Sequence, residues 1–399
     1  MKILVLDPGM RKPAGHHHMW NTALRNAFTE RGLEHEFLFY RLSRPELADC
    51  YPESRAHFIF NFYRRVPEDQ DNARPLLAHA EYMRKDLEKL ALPAGEQTLL
   101  FGHTLDAPAI LGIALWYRGL APEQRPLLAL NAHFNFALPT DLTRQIYARA
   151  ARIFGKTDKV RWFCVTDHMA ELLAQAGRPA RLLPIPFPDP ACIPAAGFQG
   201  LPPVQTVFAD GGKPPVFGFA GEGRQERNIE LLPEALEHYL ARGGRGNFLL
   251  QLSHPDTEAS RTIERLAALR AACPERIRLV LRHLHRQDDY YALLQEFSAL
   301  LLPFSPRVYH HYRPSQVLQE AFYLGIPAIV GSGGYMEYEA GKIRGGSLVM
   351  RENSARGLSD ALLAFEQNPE ERTALARAAS GPYRRANNIN AVMDCLLTF

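Results

Sequence analysis

Short apolar runs alternate with longer amphipathic stretches along most of the chain, and few folds accommodate such an alternation. The first half contains the runs KILVL, HEFLFY, QTLLF, LLALN, RWFCVT and ARLLPI. Between the first two lies the helical pattern HMWNTALRNAFTERG, in which Trp20, Leu24, Ala27 and Phe28 share one face, and Gly32 ends it. Strands that alternate with helices in this way predict βαβ units and a parallel sheet.

The alternation stops once and then begins again. A stretch rich in proline and glycine extends from Pro184 to Pro215 without a sustained period, which is typical of a connection between domains. After it come the runs PVFGFA, NFLLQL, RIRLVL, SALLLPF, IPAIVG and GSLVM, separated by helical patterns near 228–242, 258–272, 288–297, 315–323, 335–341 and 354–366. Since 399 residues are too many for one hydrophobic core, we predict an α/β protein with two doubly wound, Rossmann-like domains.

The predicted domains are residues 1–187 and 213–383, joined by a linker at 188–212. The last segment, YRRANNINAVMDCLLTF, has the pattern of an amphipathic helix with its apolar face at Val392, Cys395, Leu396 and Phe399. We expect residues 384–399 to cross back to the first domain. Because ligands of open α/β sheets bind outside the carboxyl ends of the strands, we expect the two domains to face one ligand cleft.

Composition excludes several classes of function. The net charge of +3, from 46 basic and 43 acidic residues, is too balanced to indicate a nucleic-acid partner. Five scattered cysteines without CxxC spacing favour reduced thiols in the cytosol over a disulfide framework. The opening run ILVL is predicted to be a strand rather than a signal peptide, and no 18-residue apolar stretch predicts a membrane span.

Two segments of the second domain suit a phosphate joined to a sugar. In VFGFAGEGRQERN, a strand and a glycine turn precede Arg224 and Arg227, whose guanidinium groups at the start of a helix could bind a diphosphate or could be solvated surface charges. In HHYRPSQVLQEAFYLGIPAIVGSGG, a helix that begins near Ser315 would direct its first N–H groups at an anion. Glu320, further along this helix, could then reach hydroxyl groups of the same ligand or could be an exposed carboxylate. Gly325 is expected to end the helix.

These segments, FGFAGEGRQERN and LLPFSPRVYHHYRPSQVLQEAFYLGIPAIVGSGG, resemble the donor domain of family-4-type glycosyltransferases, which have the GT-B fold. The segment RWFCVTDHMAELLAQAGRPARLLPIPFP is similar to the end of that family's acceptor domain. RIRLVLRHLHRQDDYYALLQEFSALLLPF is similar to its nucleobase loop and the strand that follows. The resemblance covers most of the chain and implies an N-terminal acceptor-binding domain and a C-terminal domain that binds a nucleotide sugar.

The resemblance implies roles for the helix after Tyr312. In the family pattern E-x7-E-A-x-x-x-G-x-P, Glu320 matches the second glutamate, whose carboxylate binds the ribose hydroxyls. Ser315, Gln316 and Val317 match the turn whose backbone amides bind the distal phosphate. Tyr312 stands where the family has its first glutamate, which contacts the transferred sugar, so the identity of the donor sugar is not predicted.

The basic segment departs from the family in one respect. Arg227 stands where the family usually has lysine, which keeps the charge but not the compact geometry. The family also has an arginine earlier in this segment. Glu222 stands at the position that matches it, so we assign the role of that arginine to Arg224. His283 lies in the segment that resembles the nucleobase loop, and we assign it to nucleotide binding.

In the first domain, DPGMRKPAGHHHMWN is predicted to form a loop, with Gly15 and His16 just before a helix. The resemblance implies a glycine loop beside the donor phosphates and the acceptor. His103 and His133 are each expected to follow a buried strand. His133 matches the family's strand-end histidine beside the transferred sugar and His103 an acceptor-side residue, although either could be a structural histidine.

Three adjacent histidines, His16 to His18, raise the question of a metal. Consecutive side chains diverge and cannot all face one ion, and the helical spacing His-x3-His is absent. We therefore predict no metal and no cofactor, with a nucleoside diphosphate sugar as co-substrate.

Together these features predict a cytosolic, metal-independent glycosyltransferase that moves a sugar from a nucleoside diphosphate to an acceptor hydroxyl. The acceptor would be a glycan, a lipid-linked molecule or a small molecule, in glycan or glycoconjugate biosynthesis. The resemblance implies a hexosyltransferase that retains anomeric configuration, and we assign His133, Arg227 and Glu320 to catalysis.

Two alternatives stay open: a GT-B-fold sugar-nucleotide epimerase, and a catalytically silent binding protein of the same fold. Scattered arginines of the first domain also leave peripheral membrane contact open; they include Arg25, Arg31, Arg41 and Arg44. The sequence does not identify the base, the sugar, the acceptor or the oligomeric state.

Overall fold

The chain folds into two compact units, each built on one parallel sheet. One unit comprises Met1–Phe187 together with Asn387–Phe399, and the other comprises Pro188–Ala386. The computed structural model describes residues 1–13, 15–61, 72–92, 97–133, 138–188, 213–253, 259–284 and 287–398. Most of the predicted linker, residues 189–212, therefore lies outside the described residues.

Seven parallel strands form the first sheet, in the order β3-β2-β1-β4-β5-β6-β7. They are β1 (Lys2–Asp7), β2 (Glu34–Tyr40), β3 (Ser54–Phe58), β4 (Thr98–Leu105), β5 (Leu127–Ala132), β6 (Val160–Cys164) and β7 (Arg181–Leu182). Chain order runs outward from β1 in one direction and from β4 in the other, so the order reverses between these two strands. The carboxyl ends of β1 and β4 thus form the switch point, where doubly wound sheets bind ligands.

Within the described residues of this unit, six α-helices connect the strands. They are α1 (Gly15–Glu30), α2 (Glu46–Cys50), α3 (Ala73–Glu88), α4 (Ala107–Gly119), α5 (Asp141–Phe154) and α6 (Asp167–Gln175). Polar side chains accept hydrogen bonds from first-turn N–H groups of four of them, which explains where these helices begin. The capping residues are Asn72, Asp106, Thr140 and Thr166. Right-handed crossovers in opposite directions place such helices on both faces of a sheet.

Six parallel strands form the second sheet, in the order β10-β9-β8-β11-β12-β13. They are β8 (Val216–Glu222), β9 (Asn247–Ser253), β10 (Ile277–Val280), β11 (Ala299–Leu302), β12 (Ala328–Val330) and β13 (Leu348–Val349). The same reversal occurs between β8 and β11. The predicted fold class, two doubly wound α/β sheets, is confirmed.

Helices accompany the second sheet as the sequence predicts, with one addition. They are α7 (Leu231–Ala241), α8 (Ser260–Ala272), α9 (Gln287–Gln295), α10 (Gln316–Leu324), α11 (Gly334–Ile343), α12 (Ala355–Glu366) and α13 (Pro369–Ala386). Helix α10 ends at Gly325, whose φ of 72° is the left-handed conformation that glycine adopts readily, as predicted. The addition is α13, most of which precedes the predicted C-terminal segment and was not predicted to be a helix.

The C-terminal segment is not one continuous helix, so that prediction is wrong. Helix α13 ends at Ala386, and Asn388 begins a new helix, α14 (Ile389–Leu397), by accepting a 3.0 Å hydrogen bond from the N–H of Ala391. The buried side chains of α14 are Val392, Met393 and Leu396, whereas Cys395 is only half-buried. Phe399 lies outside the described residues. Helix α14 belongs to the first unit and contacts α1.

Candidate functional site

The turn after β8 brings a guanidinium group against a glycine. A short 3-10 helix at Gln225–Arg227 follows the strand. Gly221 has a φ of +134°, and a Cβ at this position would lie 1.9 Å from Nη1 of Arg227. Glycine is therefore required here for two reasons: the backbone conformation, and the space that the Arg227 side chain takes.

The Arg227 guanidinium packs on an aromatic ring, and two of its nitrogen atoms have no hydrogen-bond acceptor among the described residues. Its central carbon lies 5.3 Å from the ring centroid of Phe304, just beyond β11. Nε and Nη1 are buried, and neither has a hydrogen-bond partner within the described part of the chain. Buried donors without acceptors cost free energy. An anionic ligand at the β8/β11 switch point would satisfy them.

Glu320 lies in α10 with only 4% of its surface exposed. The hydroxyl of Tyr290 donates a 2.7 Å hydrogen bond to Oε2, and the side-chain amide of Gln316 donates a 2.8 Å bond to Oε1. Burial raises the pKa of Glu320 to about 7, although these two donors and the charge of Arg227 act in the opposite direction. Glu320 is therefore a buried carboxyl group that titrates near neutral pH, rather than an exposed helix carboxylate.

The first turn of α10 begins as the sequence predicts. Ser315 is the N-cap, and its hydroxyl accepts a 3.4 Å hydrogen bond from the N–H of Leu318. Helix geometry gives the N–H of Val317 no acceptor within the helix. The side chain of Gln316 points along the helix to Glu320. Ser315, Gln316 and Val317 thus lie in one turn, on the same helix as Glu320.

The other residues predicted to bind the donor are more exposed than Glu320. Arg224 is exposed, forms an ion pair with Glu222, and lies 3.6 Å from a carboxylate oxygen of Glu226. Tyr312 is half-buried, with its ring 6.0 Å from that of His310. His283 is half-buried beyond the end of β10. The roles of Arg224, Tyr312 and His283 stay predictions.

Sequence reasoning missed several residues of this site. Tyr290 lies in α9, and its hydroxyl donates a hydrogen bond to Glu320. Burial and this carboxylate raise the pKa of Tyr290 well above its usual value. Arg313 donates a 3.0 Å hydrogen bond to Glu226 and stacks on Tyr309, 4.7 Å from the ring centroid. No local pattern in the sequence indicates these contacts, because they depend on the order of the strands.

A second cluster lies at the switch point of the first sheet, around Asp7 at the end of β1. One carboxylate oxygen lies 2.7 Å from Nδ1 of His17, and the other lies 3.2 Å from Nε2 of His103. Asn21 donates a 2.7 Å hydrogen bond to the carboxylate, and the N–H of Gly9 donates a 3.0 Å bond. Burial raises the pKa of Asp7, but the two imidazoles outweigh burial and hold it well below its usual value.

The structure corrects the predicted positions of His103, Gly15 and His16. His103 lies inside β4 rather than after it, and is 1% exposed. The strand continues past Gly102, where a Cβ would lie 2.5 Å from the Leu105 side chain, and its register against β5 shifts between these two residues. Helix α1 already includes Gly15 and His16, because nothing in the histidine run stops a helix. Burial of His103 lowers its pKa.

His133 directly follows β5, as predicted, and its backbone N–H donates a 2.8 Å hydrogen bond to the carbonyl of Leu105. Its ring stacks with that of His16, with 6.0 Å between centroids. Burial, together with the neighbouring His17 and His133, holds the pKa of His16 well below its usual value. The structure therefore brings His16, His133 and His103 to one end of the first sheet.

Solved structures of glycosyltransferases share this architecture over the whole chain, and the fold is GT-B. Sucrose-phosphate synthase from Thermosynechococcus elongatus has 14% identity and a TM-score of 0.65, with 98% of this chain and 96% of that chain covered. HepE from Anabaena, crystallised with UDP, has 12% identity and a TM-score of 0.61, with 99% and 98% covered. The UDP-forming trehalose-phosphate synthase from Burkholderia xenovorans has 11% identity and a TM-score of 0.61, with 99% and 97% covered.

The likeness is structural only. No protein-family model matches the sequence, and no curated protein matches it either.

Among the described residues, no helix is both long and apolar enough to cross a membrane. The four cysteines that the structure describes, Cys50, Cys164, Cys273 and Cys395, are free thiols.

Proposed function

We propose that this protein is a glycosyltransferase that moves a sugar from a nucleoside diphosphate to an acceptor hydroxyl. The observation that carries the proposal is the Arg227 guanidinium, held against Gly221 with two buried donor atoms that have no acceptor in the described chain. Its charge acts on Glu320, in the helix whose first turn begins at Ser315. A diphosphate linked to a ribose supplies an anion for Arg227 and hydroxyls for Glu320.

The chemistry follows from where negative charge develops. Cleavage of the sugar–phosphate bond leaves charge on the diphosphate. Arg227 and the first-turn amides of α10 would stabilise that charge without reorganisation. Because these groups already supply the positive potential, we propose that no metal is needed at the diphosphate. Glu320 contributes by holding the ribose, and the departing phosphate takes the proton of the acceptor hydroxyl.

Uridine nucleotides are the first donors to test, since HepE was crystallised with UDP and with UDP-glucose. We also propose that the reaction retains anomeric configuration, that the transferred sugar is a hexose, and that His133 lies beside it. These proposals rest on the resemblance to family-4-type glycosyltransferases. The acceptor is taken to be a glycan, a lipid-linked molecule or a small molecule. A cytosolic location, with or without peripheral membrane contact, stays a prediction.

A thermal-shift screen of nucleoside diphosphates and their sugars tests the proposal first, because a ligand that binds the native state raises its stability by mass action. The stabilising sugar nucleotide is then incubated with the protein without added metal, and the products are separated. Release of free sugar, or transfer to an added acceptor, supports the transferase. An epimeric sugar nucleotide formed without an acceptor would instead establish the epimerase. Binding without any turnover across an acceptor panel would favour the silent binding protein.

A further inference from the structure

We propose that Asp7, His17 and His103 bind a divalent transition-metal ion, with Zn²⁺ the best chemical fit. The three side chains come from three elements, β1, α1 and β4, and their ligand atoms all lie within 4.8 Å of one another. Two imidazoles with one carboxylate are a donor set that zinc accepts readily. All three side chains belong to the first unit.

Two of the separations, each from an imidazole nitrogen to one Asp7 oxygen, are near those of a coordination shell. Ligand atoms bound at about 2.0–2.1 Å to one ion lie roughly 3 Å from each other. The Asp7 oxygens lie 2.7 Å from His17 Nδ1 and 3.2 Å from His103 Nε2. The amide oxygen of Asn21, 3.2 Å from His103 Nε2, is available as a fourth donor.

Neighbouring groups hold these ligands in the orientation that an ion requires. Nδ1 of His103 lies 2.9 Å from the hydroxyl of Thr104, a contact that fixes the ring and leaves Nε2 for the ion. Asn131 donates a 2.6 Å hydrogen bond to the His103 carbonyl. Gly9 and Asn21 donate to the Asp7 carboxylate. Outer hydrogen bonds of this kind orient the ligands of metal sites.

Burial and charge also favour an ion. Asp7, His17 and His103 are 1%, 6% and 1% exposed, respectively. Throughout the described residues, no lysine or arginine forms an ion pair with Asp7. The positive partners of this buried carboxylate are therefore two imidazoles, which are themselves metal ligands.

Only one member of the histidine run belongs to this site. His18 lies 2.7 Å from the hydroxyl of Tyr51, through Nδ1, and His16 stacks with His133. The rings of His16 and His17 lie 4.1 Å apart between centroids, but the ligands that join His17 come from distant parts of the chain. His18 therefore provides a matched control, because it belongs to the same run but contacts Tyr51 instead of the proposed ligands.

The experiment uses the full chain, freed of metal by dialysis against EDTA and then titrated with Zn²⁺ by calorimetry and with Co²⁺ by visible absorption. One equivalent is expected to bind the unaltered protein. Asp7→Asn and His103→Gln should weaken Zn²⁺ binding by at least about 100-fold, the upper end of what even outer-shell changes cost. His18→Gln should leave the affinity for Zn²⁺ and the stoichiometry unaltered.

A direct signature covers the case in which these variants do not fold. His17→Cys keeps a metal ligand at position 17, and its Co²⁺ complex should gain a thiolate-to-cobalt charge-transfer band in the near ultraviolet. A purely structural histidine would give no such band. Less than one equivalent of Zn²⁺ in the unaltered protein, no band in His17→Cys, or unchanged affinity in folded Asp7→Asn would each overturn the proposal.

Discussion

The hydroxyl of Tyr290 donates a 2.7 Å hydrogen bond to the carboxyl group of Glu320, linking α9 to α10. The bond favours the charged form of a group whose pKa burial has raised to about 7. Glu320 is thus partly ionised at neutral pH, and the strength with which it accepts bonds from ribose hydroxyls depends on pH.

Removing the Tyr290 hydroxyl should raise the pH at which Glu320 loses its proton. In Tyr290→Phe the ionised carboxylate loses a donor, so the pKa of Glu320 should rise above its value of about 7. The pH midpoint of nucleoside diphosphate affinity, followed by calorimetry between about pH 5.5 and 9, should rise with it. Glu320→Gln gives the baseline, because that variant lacks the Glu320 titration and keeps the ligand phosphate and the other groups of the site. An identical midpoint in Tyr290→Phe and the unaltered protein would contradict the link.

The ribose role of Glu320 can be tested by changing protein and ligand together. Glu320→Gln should weaken the binding of a ribonucleoside diphosphate by roughly 1 to 3 kcal/mol, because a charged hydrogen-bond acceptor is lost. A 2′,3′-dideoxy analogue has no hydroxyls for the carboxylate and should bind both proteins about equally. Calorimetry on the four combinations decides the matter. Equal losses for both ligands would show that Glu320 acts on structure alone.

The same substitution has a consequence for stability. The pKa of Glu320 is raised in the folded state from 4.5 to about 7, so its contribution to stability is full below about pH 4.5 and is lost as pH rises through about 7. The difference corresponds to roughly 3 kcal/mol. Glu320→Gln should therefore stabilise the protein at pH 8 and change it little at pH 4.5. Chemical denaturation at both pH values measures this, with exposed Glu264→Gln as the control.

Arg227 and Arg224 should differ in their importance for the diphosphate. Arg227→Met removes charge-assisted bonds from a partly buried site and should weaken nucleoside diphosphate binding by about 1.5 to 3 kcal/mol. Arg224 is exposed and already paired with Glu222, so Arg224→Met should cost less than about 1 kcal/mol. Isothermal titration of both variants makes the comparison. Equal losses would mean that Arg227 has no special role.

Arg227→Met should also stabilise the ligand-free protein. The substitution replaces buried donors that have no acceptor among the described residues with an apolar chain of similar length. Denaturation without ligand is expected to show a higher free energy of unfolding. A lower value would indicate that the guanidinium contributes to the fold through its contact with Phe304.

Periodicity predicted the two sheets because each strand and helix is specified by local composition. The position of His103 inside β4 was missed, because Gly102 suggests the end of a strand and only the Leu105 packing shows otherwise. Glu320 and Ser315 were found because they share one short segment. Tyr290 lies 30 residues before Glu320, and Asp7 lies far from His103 in the sequence. Such pairs meet only when the strand order is known, which propensity does not provide.

Helix α14 has a consequence for how the chain is made. Its side chains Val392, Met393 and Leu396 are buried, and Asn390 accepts a 2.8 Å hydrogen bond from Arg31 of the first unit. Domains usually fold in the order of their synthesis. Here the second unit can be completed while the first still lacks its last helix. During synthesis, the surface of the N-terminal unit that receives α14 therefore stays uncovered until the whole second unit has been made.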